Sequence, residues 1–296
     1  MTRRVLVLGK NGQLGQSLQK VAAQYPLFEL DFAGRDRLDL ESAESISTFF
    51  DRLEQPYAGI INAAAYTAVD RAESEQELAR QVNQHAVAQL AGIARQQGSY
   101  FLHVSTDYVF SGQACRPYTE ADPTAPVNAY GASKLGGEQA LLASGCRGGI
   151  VRTGWVYSEF GNNFVKTMLR LGGQRRELGV VCDQVGTPTY APDLAAALLE
   201  LLKAGLDSAA SDAQVYHYSN EGVCSWYDFA VAVFELSGVA CAVSPIASSA
   251  YPTPAARPFY SVLSKARIRQ LLSAPIPHWR QSLGLCLLGL QEHVNS

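Results

Sequence analysis

The chain lacks the features that would send it to a membrane, to nucleic acid or to a structural metal. No apolar run is long; the longest, Leu283 to Leu290, falls far short of the ~20 residues a spanning helix needs. Charge of one sign is missing too: 24 basic and 27 acidic side chains leave a net charge of −3. That gives neither the basic footprint of a nucleic-acid binder nor a polybasic membrane patch. The six cysteines are dispersed, Cys224 and Cys241 being the nearest pair, so no C-x-x-C and no metal-finger spacing exists. They read as small buried hydrophobes of a reducing compartment. The five histidines are scattered without H-E-x-x-H, so a zinc hydrolase is excluded and no metal is expected. After Arg3 and Arg4 only Val5 to Leu8 precede Gly9, too short a run for a secretory signal, and the expected location is the cytoplasm. No internal repeat or low-complexity tract is present.

What is present is a core-forming composition. The 296 residues are 47% apolar and 17% charged, which suits one large domain or two unequal ones. Short apolar runs alternate with amphipathic stretches of helical length. Val5–Leu8 reads as a strand, Gln13–Ala23 as a helix and Leu27–Ala33 as a second strand. Ser42–Leu53 is helical, with Ser42 as cap and Ile46, Phe49, Phe50 and Leu53 on one face. Gly59–Asn62, Tyr100–Val104 and Gly149–Arg152 read as further strands, and Gln76–Gln97 and Ala129–Leu142 as helices. This alternation predicts an α/β fold: a Rossmann-type, doubly wound parallel sheet with ligands at the carboxyl ends of its strands. After Trp155 the pattern becomes irregular, with helices at Phe164–Leu171, Asp193–Lys203 and Tyr227–Ser237 between Gly/Pro-rich loops. Residues 1–155 are therefore assigned to a nucleotide-binding domain, and 156–296 mostly to a smaller substrate-covering region with segments returning to the first.

Gly9-Lys-Asn-Gly12-Gln-Leu-Gly15 follows the first strand and opens the first helix. Glycines there let the turn tighten and let backbone amides and the helix N-terminus meet a pyrophosphate. A glycine triplet alone is weak among 25 glycines; its strand–turn–helix setting is what points to a dinucleotide. Strand two does not end on the acid that would hold an NAD ribose. It runs on to Arg35, which suits a 2′-phosphate and so NADPH, with NADH also accepted. Tyr130-Gly-Ala-Ser-Lys134 places a phenol and an ammonium on one helix face. With an oxidised nicotinamide's charge, the lysine is expected to bring the phenol down from its ordinary pKa near 10. The fourth strand ends in Ser105-Thr106-Asp107-Tyr108, adding hydroxyls at the carboxyl edge. Glycine-rich turn, strand-end Ser/Thr, tyrosine and lysine together make the short-chain dehydrogenase/reductase constellation.

Seven ordered blocks carry a closer resemblance: GKNGQLG (9–15), NAAAYTAVDRAE (62–73), STDYVFSG (105–112), YGASKLGGE (130–138), RTGWVYSEFGNNFVKTMLRL (152–171), DQVGTPTYA (183–191) and YPTPAARP (251–258). Over nearly its whole length the chain resembles the dTDP-4-dehydrorhamnose reductase family of extended short-chain reductases. The resemblance implies NAD(P)H-dependent reduction of the 4-keto group of dTDP-4-dehydro-6-deoxy-L-mannose to dTDP-L-rhamnose, for cell-surface polysaccharide. It implies a nucleotide-sugar partner and is compatible with a homodimer. Residue by residue, it implies that Gly9, Gly12, Gln13, Leu14 and Gly15 hold the cofactor phosphates. Asp39, Leu40, Ala63, Ala64 and Ala65 would surround the adenosine half, and Thr106, Tyr130 and Lys134 would carry the chemistry. Val69, Thr106, Asp107 and Trp155 would touch the sugar, and Asn163, Lys166 and Arg257 its diphosphate. One departure is Gly154, where the family often has serine, and it is expected to loosen the loop carrying Trp155. A dehydratase is disfavoured because Tyr108 stands where such enzymes carry Glu after the Thr-Asp pair. The remaining alternatives are a related 4-ketoreductase giving the talose product and a non-catalytic cofactor-binding subunit; intact Tyr130 and Lys134 speak against the latter.

Overall fold

The computed structural model describes residues 2–209 and 211–294. The main sheet is built from β1 (Arg3–Leu8), β2 (Phe28–Ala33), β3 (Gly59–Asn62), β4 (Tyr100–Thr106) and β5 (Gly148–Thr153). The short strands β6 (Val156–Tyr157), β7 (Glu177–Val181), β8 (Val185–Gly186) and β9 (Thr189–Tyr190) follow, and β10 (Gln214–His217) returns to the main sheet. Its order is β10-β5-β4-β3-β1-β2, and every pairing is parallel. Strands buried on both faces need no alternation, which is why the middle of β1, Val5 to Leu8, is apolar throughout. The chain leaves β1 for β2 on one side and reaches β3 on the other, so a crevice opens at the carboxyl end of β1.

Helices cover both faces. On one, α1 (Gln13–Val21) and α8 (Ala191–Asp207) pack Leu14, Leu18, Leu194 and Leu198 against Val5 and Val7. On the other lie α2 (Ala43–Asp51), the short α3 (Val69–Ala72) and α4 (Gln76–Arg80), then α5 (Ala86–Gln97) and α6 (Ala129–Ala143). There Ile46, Phe50, Leu90 and Leu141 meet Leu6 and Leu8. The helix boundaries have local causes. Ser42 caps α2 by accepting from the Ser45 amide, Asn128 caps α6 by accepting from Gly131, and Gly98 ends α5 in the left-handed conformation.

Two expectations from the sequence need correcting, and one strand is new. The helix expected from Gln76 to Gln97 is interrupted by a π-turn at Gln81–His85. Within that turn the Asn83 amide donates to the Tyr66 carbonyl and to Ser133 Oγ on α6. Gly137 lets α6 come close, since a Cβ there would lie 2.1 Å from the Asn83 carbonyl oxygen. The helix expected to reach Ala23 ends at Val21 and tightens into a 3₁₀ turn, Ala22–Gln24. And β10, where the sequence predicts no element, pairs with the edge of β5.

The remaining chain forms a smaller, aromatic unit. Helices α7 (Phe164–Gly172), α9 (Trp226–Ser237) and α11 (Trp279–Val294), with the one-turn α10 (Ala266–Arg269), are joined by two-stranded sheets that include β11 (Cys224–Ser225) and β12 (Ala242–Ile246). Its core gathers Tyr157, Phe229, Phe234 and Trp279. Among the described residues, no helix is long and apolar enough to cross a membrane.

Candidate active site

A cleft of about 720 Å³ runs along the carboxyl edge of the main sheet, from the glycine loop to the aromatic unit. Gly9, Gly12, Gln13 and Leu14 line one end. Gly9 has a φ of 89°, and a Cβ there would lie 2.9 Å from the Ala63 backbone. The start of α1 is capped by no side chain, so its first amides face the cleft without a protein acceptor. This cradle fits a pyrophosphate, as the sequence predicts. Gly15 does another job: it is absent from the cleft wall, and a Cβ there would meet the Gly9 carbonyl oxygen at 2.1 Å. It allows α1 to sit against its own loop.

Leu40, Ala63, Ala64 and Ala65 line the next stretch, with Arg35 and Asp39 at its rim. Arg35 is exposed and already ion-paired, at 2.5 Å to Glu41 and 3.8 Å to Asp39. Any 2′-phosphate would have to compete with Glu41 for it.

Thr106, Tyr130 and Lys134 come together in mid-cleft with Val69 and Asp107. Tyr130 is half-buried, with Thr106 beside it in the cleft wall. Burial, aided by the Asp107 charge, pushes its phenol up to about 12. That is the direction for the chain without the cofactor charge on which the expected lowering depends. Lys134 Nζ lies on the Val104 carbonyl at 2.7 Å and 3.2 Å from His103 Nε2, and burial pushes it down to about 7. The Thr106 hydroxyl donates to Asp107 at 3.1 Å, and burial lifts that carboxyl to about 6. Gly154 makes room for it, because a Cβ there would lie 2.5–2.8 Å from the Asp107 carboxylate oxygens. The glycine is therefore a matter of space and not of a loosened loop. Beneath, Glu138 on α6 accepts from Ser105 and pairs with Arg152 of β5 at 2.6 Å, tying β4, β5 and α6 together.

Trp155 closes the far end. It is the one non-glycine residue with positive φ, 52°, among the described residues. Three contacts hold it there: its carbonyl accepts from Thr189, Gly186 lies under the indole, and Trp226 stacks on it at 3.4 Å between ring centroids. The sequence reading missed Trp226. Its signal is the Ser225–Asp228 capping box, which makes Trp226 the first residue of α9 and aims it at the cleft. It also missed His103, a polar residue inside an apolar strand run.

Asn163, Lys166 and Arg257 do not line the cleft. Asn163 caps α7 by accepting from Lys166 N, while its amide donates to Gln13 Oε1 and the Ser158 carbonyl. Lys166 Nζ props the Gly161 carbonyl. Arg257 makes a two-pronged pair with Asp70, at 3.0 and 2.8 Å. In this structure their cationic and amide groups are engaged by protein partners, with which a diphosphate would have to compete.

A parallel sheet of this order, a glycine cradle at its switch point and a Thr–Tyr–Lys group in one cleft define a nucleotide-dependent short-chain reductase. A family model described as the RmlD substrate binding domain matches residues 3–291. The chain is 42% identical to a dTDP-4-dehydrorhamnose reductase of Burkholderia thailandensis, over 97% of this chain and 99% of that protein. It superposes with a TM-score of 0.90 on a dTDP-4-dehydrorhamnose reductase of Clostridium acetobutylicum, 39% identical, covering 97% of this chain and 99% of that one. The same score is reached with the enzyme of Bacillus anthracis in complex with NADP, 36% identical, covering 98% and 100%. The chain belongs to the dTDP-4-dehydrorhamnose reductase family.

Proposed function

We propose that the chain reduces the 4-keto group of dTDP-4-dehydro-6-deoxy-L-mannose with NADPH, giving dTDP-L-rhamnose. The observation that carries this reading is the gathering of Thr106, Tyr130 and Lys134 in one cleft with the glycine cradle and the Trp155 face. Gly9, Gly12, Gln13 and Leu14 would hold the cofactor phosphates, and Leu40 and Ala63 to Ala65 the adenosine. When bound, the reduced nicotinamide supplies hydride to the sugar C4. Tyr130, kept protonated at neutral pH by its burial, gives its proton to the sugar O4 as negative charge develops there. Thr106 turns its hydroxyl from Asp107 to the same oxygen. Val69, Asp107 and Trp155 position the deoxysugar, and Lys134 orients the nicotinamide ribose. Residues 1–155 thus supply cofactor site and chemistry, and 156–296 chiefly cover the sugar. Free thiols at all six cysteines suit the cytoplasm, where this reading places the protein.

The test is to incubate the protein with the dTDP-4-keto-L-sugar and NADPH and identify the product by NMR. Loss of nicotinamide absorbance with a rhamnose product is expected. A talose product would redirect the stereochemistry, and cofactor binding without turnover would overturn the reading.

A further inference from the structure

Gln13 stands in the glycine motif, yet its side chain is engaged by the chain that follows Trp155. Its Oε1 accepts from Ser158 Oγ and from Asn163 Nδ2, each at 2.9 Å. Its Nε2 donates to the Val156 carbonyl at 3.4 Å. The orientation of these amides is set by a group that can only donate. Asn163 Oδ1, as the cap of α7, accepts from the Lys166 main-chain N–H at 3.1 Å. Its NH2 therefore faces Gln13, and Gln13 must answer with its carbonyl oxygen. That leaves the Gln13 NH2 for Val156, the residue next to Trp155. The aliphatic part is used as well: Gly161 turns at a φ of 58°, and a Cβ there would lie 3.2 Å from Gln13 Cγ.

The main chain of the same residue does other work. Gln13 is the first residue of α1, whose N-terminus no side chain caps, and it lines the cleft. Its N–H is among the amides left for a phosphate; its side chain is not. We infer that the Gln13 side chain is a positioning residue for the sugar: it latches residues 156–163 onto the cofactor helix and so fixes the wall that Trp155 presents. A second anchor lies about two turns further along the same face of α1. There Lys20 pairs at 2.9 Å with the buried Glu159, which also accepts from the Tyr190 hydroxyl. That pair holds the middle of the segment. Gln13 holds its two ends, Val156 beside Trp155 and Asn163 at the start of α7. Trp155 needs such a hold, because its φ of 52° persists only where the surroundings over-determine it. The inference rests on reading the Trp155 end as the sugar site, and not on which sugar or which product.

The experiment compares Gln13→Met with Asn163→Asp in the full chain. Methionine keeps the length and the main-chain amide but offers the segment no amide group. Aspartate still caps α7 and accepts from Lys166, but turns an acceptor on Gln13 Oε1. A Gln13 that flips to meet it would set its own oxygen against the Val156 carbonyl. For each variant KM for the dTDP-4-keto-L-sugar should rise about 10-fold. The Kd for NADPH, titrated without sugar, should stay within a few-fold of wild type. The double variant should be no worse than the worse single one, since once Gln13 is replaced the aspartate has no oxygen to oppose. Hydrogen exchange, also without sugar, should show residues 156–163 opening faster in both variants. Should Asn163→Asp fail to fold, Ser158→Ala removes the other bond to Oε1 and is read in the same way. A wild type that reduces no such sugar would refute the substrate reading, and the exchange rates would then decide the latch. NADPH affinity falling as far as that for the sugar, additive losses in the double variant, or unchanged exchange would each overturn the proposal.

Discussion

The two ends of the cleft are walled differently. At the glycine-loop end the wall is main chain: Gly9 rests against the Ala63 backbone, Gly15 against Gly9, and the amides opening α1 face inward. At the other end the wall is side chain, Trp155 on Trp226 with Phe164 and Phe229 behind them. A backbone wall serves a ligand part that never varies and tolerates no added atom. A wall of stacked rings can be trimmed piece by piece, so its losses should be graded and should fall on the sugar alone.

The sharpest way to break this comparison is Gly15→Ala. A methyl 2.1 Å from the Gly9 carbonyl oxygen must push the loop off α1. Overpacking of roughly 3 kcal/mol would weaken NADPH binding about 100-fold. Isothermal titration should show this, with binding of dTDP-sugar nearly unchanged. An alanine that binds NADPH normally would show the loop to be soft.

Asp107, at the seam between the two walls, gives a pH test of similar size. Its folded pKa of about 6 lies above the unfolded value of 3.8, so the folded state binds the proton more tightly. Wild type therefore loses stability as pH rises from about 4 to about 6, and the loss is complete above that window. Asp107→Asn removes it. The variant should be more stable by roughly 3 kcal/mol at pH 7 and no more stable below pH 4. Thermal unfolding across pH measures it, and a constant difference would show that the carboxyl is not strained by burial.

Trp226→Ala should act on the sugar side only. Loss of the stack that backs Trp155 would raise KM for the sugar by about 10-fold, a well-stacked aromatic pair contributing ~1.4 kcal/mol. The cofactor Kd should stay put, and equal damage to both would mean that the two walls are mechanically one. Arg35→Ala is the smallest. Because Glu41 already holds the guanidinium, a 2′-phosphate gains only what the exchange leaves over. KM for NADPH should rise about 2- to 5-fold, with NADH unaffected; an equal effect on both cofactors would leave Arg35 as ordinary surface.

The same contrast explains what the sequence reveals. The glycine loop, the strand-end Thr106 and the Tyr130/Lys134 spacing are local patterns on regular elements, and each appears where it was expected. Arg257 and Asn163 look like free polar groups in the sequence because their partners are remote: Asp70 lies 187 positions away and Gln13 lies 150. The run Val215-Tyr216-His217 of β10 is too short to stand out by itself, and its pairing with β5 is what makes it a strand. His103 shows itself as an anomaly in an apolar run, yet its meaning depends on Asn62 and Lys134 arriving from two other elements. Charge and spacing find chemistry that is local; they do not find which polar groups the fold has already paired.

The central claim is that Tyr130, held protonated by burial, is the proton donor. Single-turnover hydride transfer, with bound NADPH and saturating dTDP-4-keto-L-sugar, tests it most directly. Tyr130→Phe keeps the ring against Tyr108 and loses only the hydroxyl. The account predicts a transfer rate lower by roughly 10²–10⁴ with cofactor affinity held within a few-fold. Transfer at near wild-type rate across pH 6–9 would contradict it and hand the proton to another group.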